Sequence, residues 1–227
     1  MVEASRAAGV ERLVMLSFLR ARSDGPTAYH RSKWQAEELV RGSGLTSTIL
    51  KAGVIYGLGD HMLDHLSHAF HSFPIFGLVG MNDRAVRPVA VADVARVLDA
   101  ALTGDSRLAD RTVAVLGPEE MPLSEAVRRV ARVTGRRPLF VRLPIAVHLL
   151  IGKAAELLMR VPLVSLAQVR ILEEGVTEAA PAADPLPRDL APTTWFSDDA
   201  IRAGLPAAGG FGRADLRTCS RATGTAP

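Results

Sequence analysis

With 227 residues, 48% of them hydrophobic and 22% charged, the chain has ample apolar material for a buried core and the ordinary charge density of a globular protein. Its net charge of +3 comes from scattered arginines with no interleaved aromatic residues, which argues against nucleic acid as a partner. A single cysteine, Cys219, excludes an intrachain disulfide framework and fits a reducing, cytoplasmic setting; no stretch reads as an integral membrane segment.

In chain order, Glu3–Gly9 reads as a helix end closed by glycine. Leu13–Leu16 is an apolar run without alternation, as expected of a parallel strand covered on both faces, and explains the segment better than a signal peptide. Ser17 ends that strand, where ligands bind in open α/β sheets, although a hydroxyl bonding local backbone is the plainer reading. A loop with Asp24-Gly25-Pro26 leads to a helix running to about Arg41 and stopped by Gly42-Ser43-Gly44.

That helix opens with the most informative pair in the chain. Tyr29 and Lys33 are four residues apart and share a helix face, in a sequence with few tyrosines and lysines. A free tyrosine titrates near ~10, too high for easy proton exchange at neutral pH. A neighbouring ammonium favours the phenolate and lowers that value, so Lys33 is expected to turn Tyr29 into a usable general acid or base. The alternative is an ordinary solvated helix turn.

Thr46–Gly57 is a second β-rich segment, so strand, helix and strand predict a parallel crossover unit. From Asp60 to Phe73, His61, Asp64, His65 and His68 gather on one helical face opposite Met62, Leu63, Leu66, Ala69, Phe70 and Phe73. Zinc-type ligation is conceivable from that spacing, but the polar side of an amphipathic helix explains it better, so no metal is expected. Gly77 and Gly80 read as loop residues. Asp93 and Ser124 read as helix N-caps, the latter for a helix through Val133 stopped by Gly135, and Thr112–Leu116 reads as a strand. Pro138–Leu143 follows as a short strand. Two amphipathic helices, Ile145–Met159 and Ser165–Glu174, come next, and then an irregular Ala179–Pro192. Ser197 starts a last short helix, and disorder is expected after Pro206.

Taken together, Ser17, Tyr29-x-x-x-Lys33, Ile49-Leu50-Lys51-Ala52-Gly53-Val54-Ile55-Tyr56-Gly57-x-Gly59-Asp60, Arg87-Pro88-Val89-x-Val91-x-Asp93-Val94-Ala95 and Pro187-Arg188-Asp189-Leu190 resemble the short-chain dehydrogenase/reductase superfamily. The likeness is to extended and atypical members: NAD(P)H-binding NmrA-like proteins, NAD-dependent epimerase/dehydratases and relatives of the accessory Rossmann subunit of respiratory complex I. It covers roughly residues 1–206. The resemblance implies an α/β fold with the C-terminal part of a Rossmann-like parallel sheet in residues 1–117. A smaller, mainly helical substrate-side region would follow in 118–206, then a disordered tail in 207–227.

It further implies NAD or NADP as cofactor and a small-molecule substrate, with an oligomer permitted. Tyr29 would be the acid/base in hydride transfer. Lys33 would hold the nicotinamide ribose, Ser17 would bond the substrate oxygen, and Gly53, Val54, Ile55 and Tyr56 would line the nicotinamide side. Lys51-Ala52 stands where many relatives carry Arg-Pro, a change expected to alter the loop little. The glycine-rich pyrophosphate turn of the family is absent from the sequence, so truncation, with loss of activity, is the expectation. A non-catalytic NAD(P)H-binding redox sensor or assembly factor is the competing reading.

Overall fold

A computed structural model describes residues 1–158 and 165–211. Met159, Cys219 and the expected tail from residue 212 onward lie outside the described residues. The chain begins with α1 (Val2–Ala7), β1 (Arg12–Phe18), α2 (Ala28–Arg41), β2 (Thr46–Ala52), β3 (Ile55–Tyr56) and α3 (His61–Ser72). β4 (Ile75–Val79), β5 (Ala85–Val86), β6 (Val89–Ala90), α4 (Val91–Thr103), β7 (Arg111–Val115) and β8 (Met121–Pro122) follow. The last elements are α5 (Leu123–Val133), β9 (Leu139–Leu143), α6 (Ile145–Leu158), α7 (Leu166–Glu174) and α8 (Asp198–Gly204).

β1, β2 and β7 form a parallel sheet in the order β1-β2-β7. Its register places Ser17 beside Lys51 and Lys51 beside Ala114. The parallel crossover expected from strand, helix and strand is thus present, with α2 as its helix. β2 is the central strand, and Ser47 to Ala52 are buried throughout, which is why this segment shows no polar alternation. The short pairs β3–β6 and β4–β9 are also parallel, whereas β5–β8 is antiparallel. Two of these pairs cross the division expected at residue 117, so the sheet part and the helical part interlock. One apolar cluster does the same, joining Tyr56, Leu63 and Phe70 to Val127, Val130, Phe196 and Ile201.

The structure corrects three local expectations. Gly77 lies within β4 rather than in a loop, because β4 pairs with a strand more than sixty residues away that no local pattern announces. α4 starts before Asp93, which instead accepts hydrogen bonds from the Thr194 amide at 2.9 Å and the Arg96 guanidinium at 2.8 Å. Ser124 lies inside the first turn of α5; Asp83, from a distant loop, accepts its amide and its hydroxyl at 3.1 and 2.5 Å. Ser165, by contrast, caps α7 in a reciprocal capping box with Gln168. Among the described residues, no helix is long and apolar enough to cross a membrane.

Candidate active site

α2 begins where Thr27, in extended backbone, accepts the His30 amide on its hydroxyl, and it closes at Gly42. The loop before it can lie against the helix because Gly25 has no side chain; a Cβ there would collide with His30. Tyr29 and Lys33 occupy the outer side of the first turns. Tyr29 is 41% exposed, and its ring leans on Phe18 at the end of β1, 5.4 Å between centroids. The Lys33 ammonium donates to the Leu16 carbonyl of β1 at 3.3 Å and stands 6.0 Å from the centre of the Tyr29 ring. The structure therefore brings this pair together at the carboxyl end of a parallel strand, as a strand-end site requires.

The electrostatics differ from expectation. Partial burial raises the pKa of Tyr29 above its ordinary value, so the phenol stays protonated at neutral pH. The predicted lowering by Lys33 is not seen: the ammonium faces the ring and the Leu16 carbonyl.

Ser17 is also corrected. Its hydroxyl is buried and donates to Glu37 at 2.5 Å, so it is engaged inside the protein rather than offered to a substrate. Glu37 is fully buried and meets Arg41 at 2.8 Å and Lys51 at 3.4 Å. The Lys51 ammonium, 1% exposed, also donates to the carbonyls of Ala21 and Ala180 at 3.0 and 3.4 Å. Burial lowers its pKa, and the facing Glu37 carboxylate partly offsets this. Lys51 is thus a tie between β2, α2 and two loops rather than a minor loop substitution. One sequence signal could have marked the pair: a lysine inside the run Ile49-Leu50-Lys51-Ala52, and a glutamate three residues before the buried Val40.

Of the residues expected along the nicotinamide side, Tyr56 is closed off. It is 1% exposed, packs edge-on against Phe196 and donates its hydroxyl to the Trp195 carbonyl at 3.0 Å. Burial, with Asp93 and Glu119 nearby, pushes its pKa up to about 12. Gly53 is pressed against Val176, where a Cβ would come within 2.7 Å of a methyl group. The Val54 carbonyl accepts the Val89 amide, and Ile55 pairs with Val89 in β3–β6. Among the described residues no three histidine, cysteine or acidic side chains stand close enough to hold a metal. The histidines of α3 turn inward to their own helix: the Nδ1 atoms of His65, His68 and His71 sit 2.7–2.9 Å from carbonyls one turn earlier.

Sequence reasoning also missed a second cluster beside Tyr29. His30 is fully buried, with Nδ1 2.7 Å from the Thr27 hydroxyl and Nε2 3.1 Å from Glu174 at the end of α7. Arg20 and Arg22 meet the same carboxylate at 2.9 and 2.6 Å. Burial lowers the pKa of His30, against the pull of Glu174. Burial would raise that of Glu174, but the two arginines outweigh it and hold the carboxyl below its usual range. The α6–α7 segment is thereby clamped to the loop and first turn that carry Tyr29.

Strand topology and the strand-end pair define a Rossmann-like α/β protein. No protein-family profile matches the chain. Over 154 residues it is 32% identical to the mitochondrial NADH dehydrogenase (ubiquinone) 1 alpha subcomplex subunit 9 of Mus musculus, a match covering 66% of this chain and 40% of that one. Over 146 residues it is 30% identical to a ceramide reductase of Caulobacter vibrioides, covering 63% and 44%. The chain thus spans less than half the length of these curated relatives. Two solved structures share the fold. The Escherichia coli NADPH-dependent quinone oxidoreductase, complexed with NADPH, gives a TM-score of 0.63 at 16% identity, over 88% of this chain and 68% of that one. The Bacillus cereus UDP-glucuronic acid 4-epimerase, in complex with NAD, gives 0.55 at 14% identity, over 89% and 63%. The two curated relatives are members of the extended short-chain dehydrogenase/reductase family, to which this chain is similar, and the chain shares the Rossmann-like fold of the solved structures.

Proposed function

We propose that the chain carries the proton-transfer part of a nicotinamide-dependent oxidoreductase acting on a small carbonyl or hydroxyl compound. The observation that supports this most is the pairing of exposed Tyr29 with half-buried Lys33 at the carboxyl end of β1. The residues present fit the nicotinamide-ribose end of NAD or NADP. Lys33 has three N–H donors, one of them engaged with Leu16, which leaves donors for ribose hydroxyls. They do not fit the pyrophosphate end, because the sequence holds no glycine-rich turn of that spacing.

When bound, a reduced nicotinamide supplies the hydride for a carbonyl carbon. Tyr29 gives its phenolic proton to the carbonyl oxygen and is then reprotonated from water. Its raised pKa suits this direction, since the acid form persists at neutral pH. The reverse oxidation needs the phenolate and should therefore quicken as pH rises toward the Tyr29 pKa. With Ser17 bound to Glu37, Lys33 and Tyr29 are left to orient the oxygen.

The test is consumption of millimolar NADH or NADPH with a panel of quinones and carbonyl compounds. Tyr29→Phe should lower turnover by about 10²-fold or more, the usual contribution of a positioned acid; full turnover in that variant would overturn the assignment. A second reading, a non-catalytic NAD(P)H-binding sensor or assembly factor, is favoured by the engaged Ser17 and by the subunit name of the mouse relative. Saturable nucleotide binding without turnover on any acceptor would select it.

A further inference from the structure

A groove of about 740 Å³ opens between the Pro26–Thr27 loop, α6 and α7, next to the first turn that carries Tyr29. Its size falls in the ~300–1,000 Å³ range of small-molecule sites. Its α6 wall is one helical stripe, Ala146, Leu149, Leu150, Lys153 and Glu156, spaced i, i+3, i+4, i+7 and i+10. Leu166 and Arg170 of α7 face it. Leu150 is 71% exposed, an apolar side chain left to solvent in a concave setting.

The charges in this lining are unequal. Glu156 keeps its negative charge and spends one oxygen on the Leu166 amide at 2.9 Å, while Arg170 is paired with Glu173 at 2.9 Å, so the cations Lys153 and Arg170 outnumber the one lining carboxylate. Lys153 has no carboxylate partner among the described residues. An apolar groove with an ammonium that makes no salt bridge among the described residues complements a molecule that is mostly hydrocarbon with one negative end. We infer that this groove binds an amphipathic anion: an apolar chain laid along Leu149, Leu150 and Leu166, with a carboxylate or phosphate on Lys153. Only the designation of this ligand as substrate rests on the oxidoreductase reading; the binding does not.

The test is calorimetric titration of the 227-residue chain with dodecanoate, dodecyl phosphate and dodecanol below micelle formation. Either anion should bind saturably and roughly tenfold more tightly than the alcohol, the scale of one charge-assisted hydrogen bond. The tighter of the two identifies the head group. Lys153→Gln should abolish the preference for the anion while leaving the alcohol unchanged, and Leu150→Asp should weaken all three. Both positions are exposed, so circular dichroism should show intact folding. No saturable binding, equal affinity for alcohol and anions, or an unchanged preference in Lys153→Gln would each overturn the inference. Tyr29→Phe should retain anion binding. In the unsubstituted chain, binding without turnover on any acceptor would remove the oxidoreductase reading alone, and turnover without binding would remove this inference alone.

Discussion

The two faces of α2 make opposite use of charge. Inward, Glu37 is fully buried against Ser17, Arg41 and Lys51, and His30 is fully buried against Thr27 and Glu174, so each buried polar group has a partner. Outward, Tyr29 and Lys33 are accessible, and Lys33 makes a single weak tie to a strand carbonyl. A buried charge is tolerated only when paired, and removing one partner strands the other. An accessible pair holds the fold together little but remains available to a ligand. The inner face therefore fixes where the outer face stands, and the outer face is where chemistry can happen.

Substitutions should break this contrast in a definite order. Glu37→Ala leaves Lys51 buried without its carboxylate and should cost about 3–5 kcal/mol in urea unfolding; a loss under about 1 kcal/mol would show that Lys51 reaches water. Ser17→Ala removes one donor to a buried carboxylate and should cost about 1–2 kcal/mol by the same measurement. If Ser17 instead bonded substrate, its loss would lower turnover and leave unfolding unchanged.

His30 predicts a pH dependence. Its folded pKa lies below the ordinary 6.5, so the folded state binds fewer protons than the unfolded one as pH falls. The stability it contributes is complete above about pH 6.5 and is lost as pH drops through the lowered folded value. The melting temperature should fall between pH 7 and 5, and His30→Gln should flatten that slope. The smallest effect belongs to the outer face: Tyr29→Phe and Lys33→Gln should each shift stability by no more than about 0.5 kcal/mol, whatever they do to turnover.

Much of the fold could be read along the chain. The apolar run of β1, the β-rich composition of β2, the glycines after α2 and the Ser165 cap of α7 are local signals, each decided within a few residues, although β1, at the end of the three-stranded order, leaves Leu16 exposed rather than covered on both faces. The pairing of β4 with β9 was not readable in this way, nor was the capping of α5 by Asp83, because each partner lies forty or more residues away. The same limit applies to the site. Tyr29 and Lys33 could be found because one helix turn joins them. Glu37 and Lys51 each stood out locally as a charge in apolar surroundings, but that they meet, like the meeting of His30 with Glu174, could not be read, because the fold brings together residues from separate elements.

By itself, then, the sequence determined the parallel crossover and the strand-end Tyr29–Lys33 pair, since helix periodicity and strand composition are properties of short segments. Only the tertiary structure decided that Ser17 faces Glu37, that Tyr56 is sealed against Phe196 and that burial raises rather than lowers the Tyr29 pKa. Each of these depends on what surrounds a side chain, and burial and through-space charge are set by packing rather than by spacing along the chain.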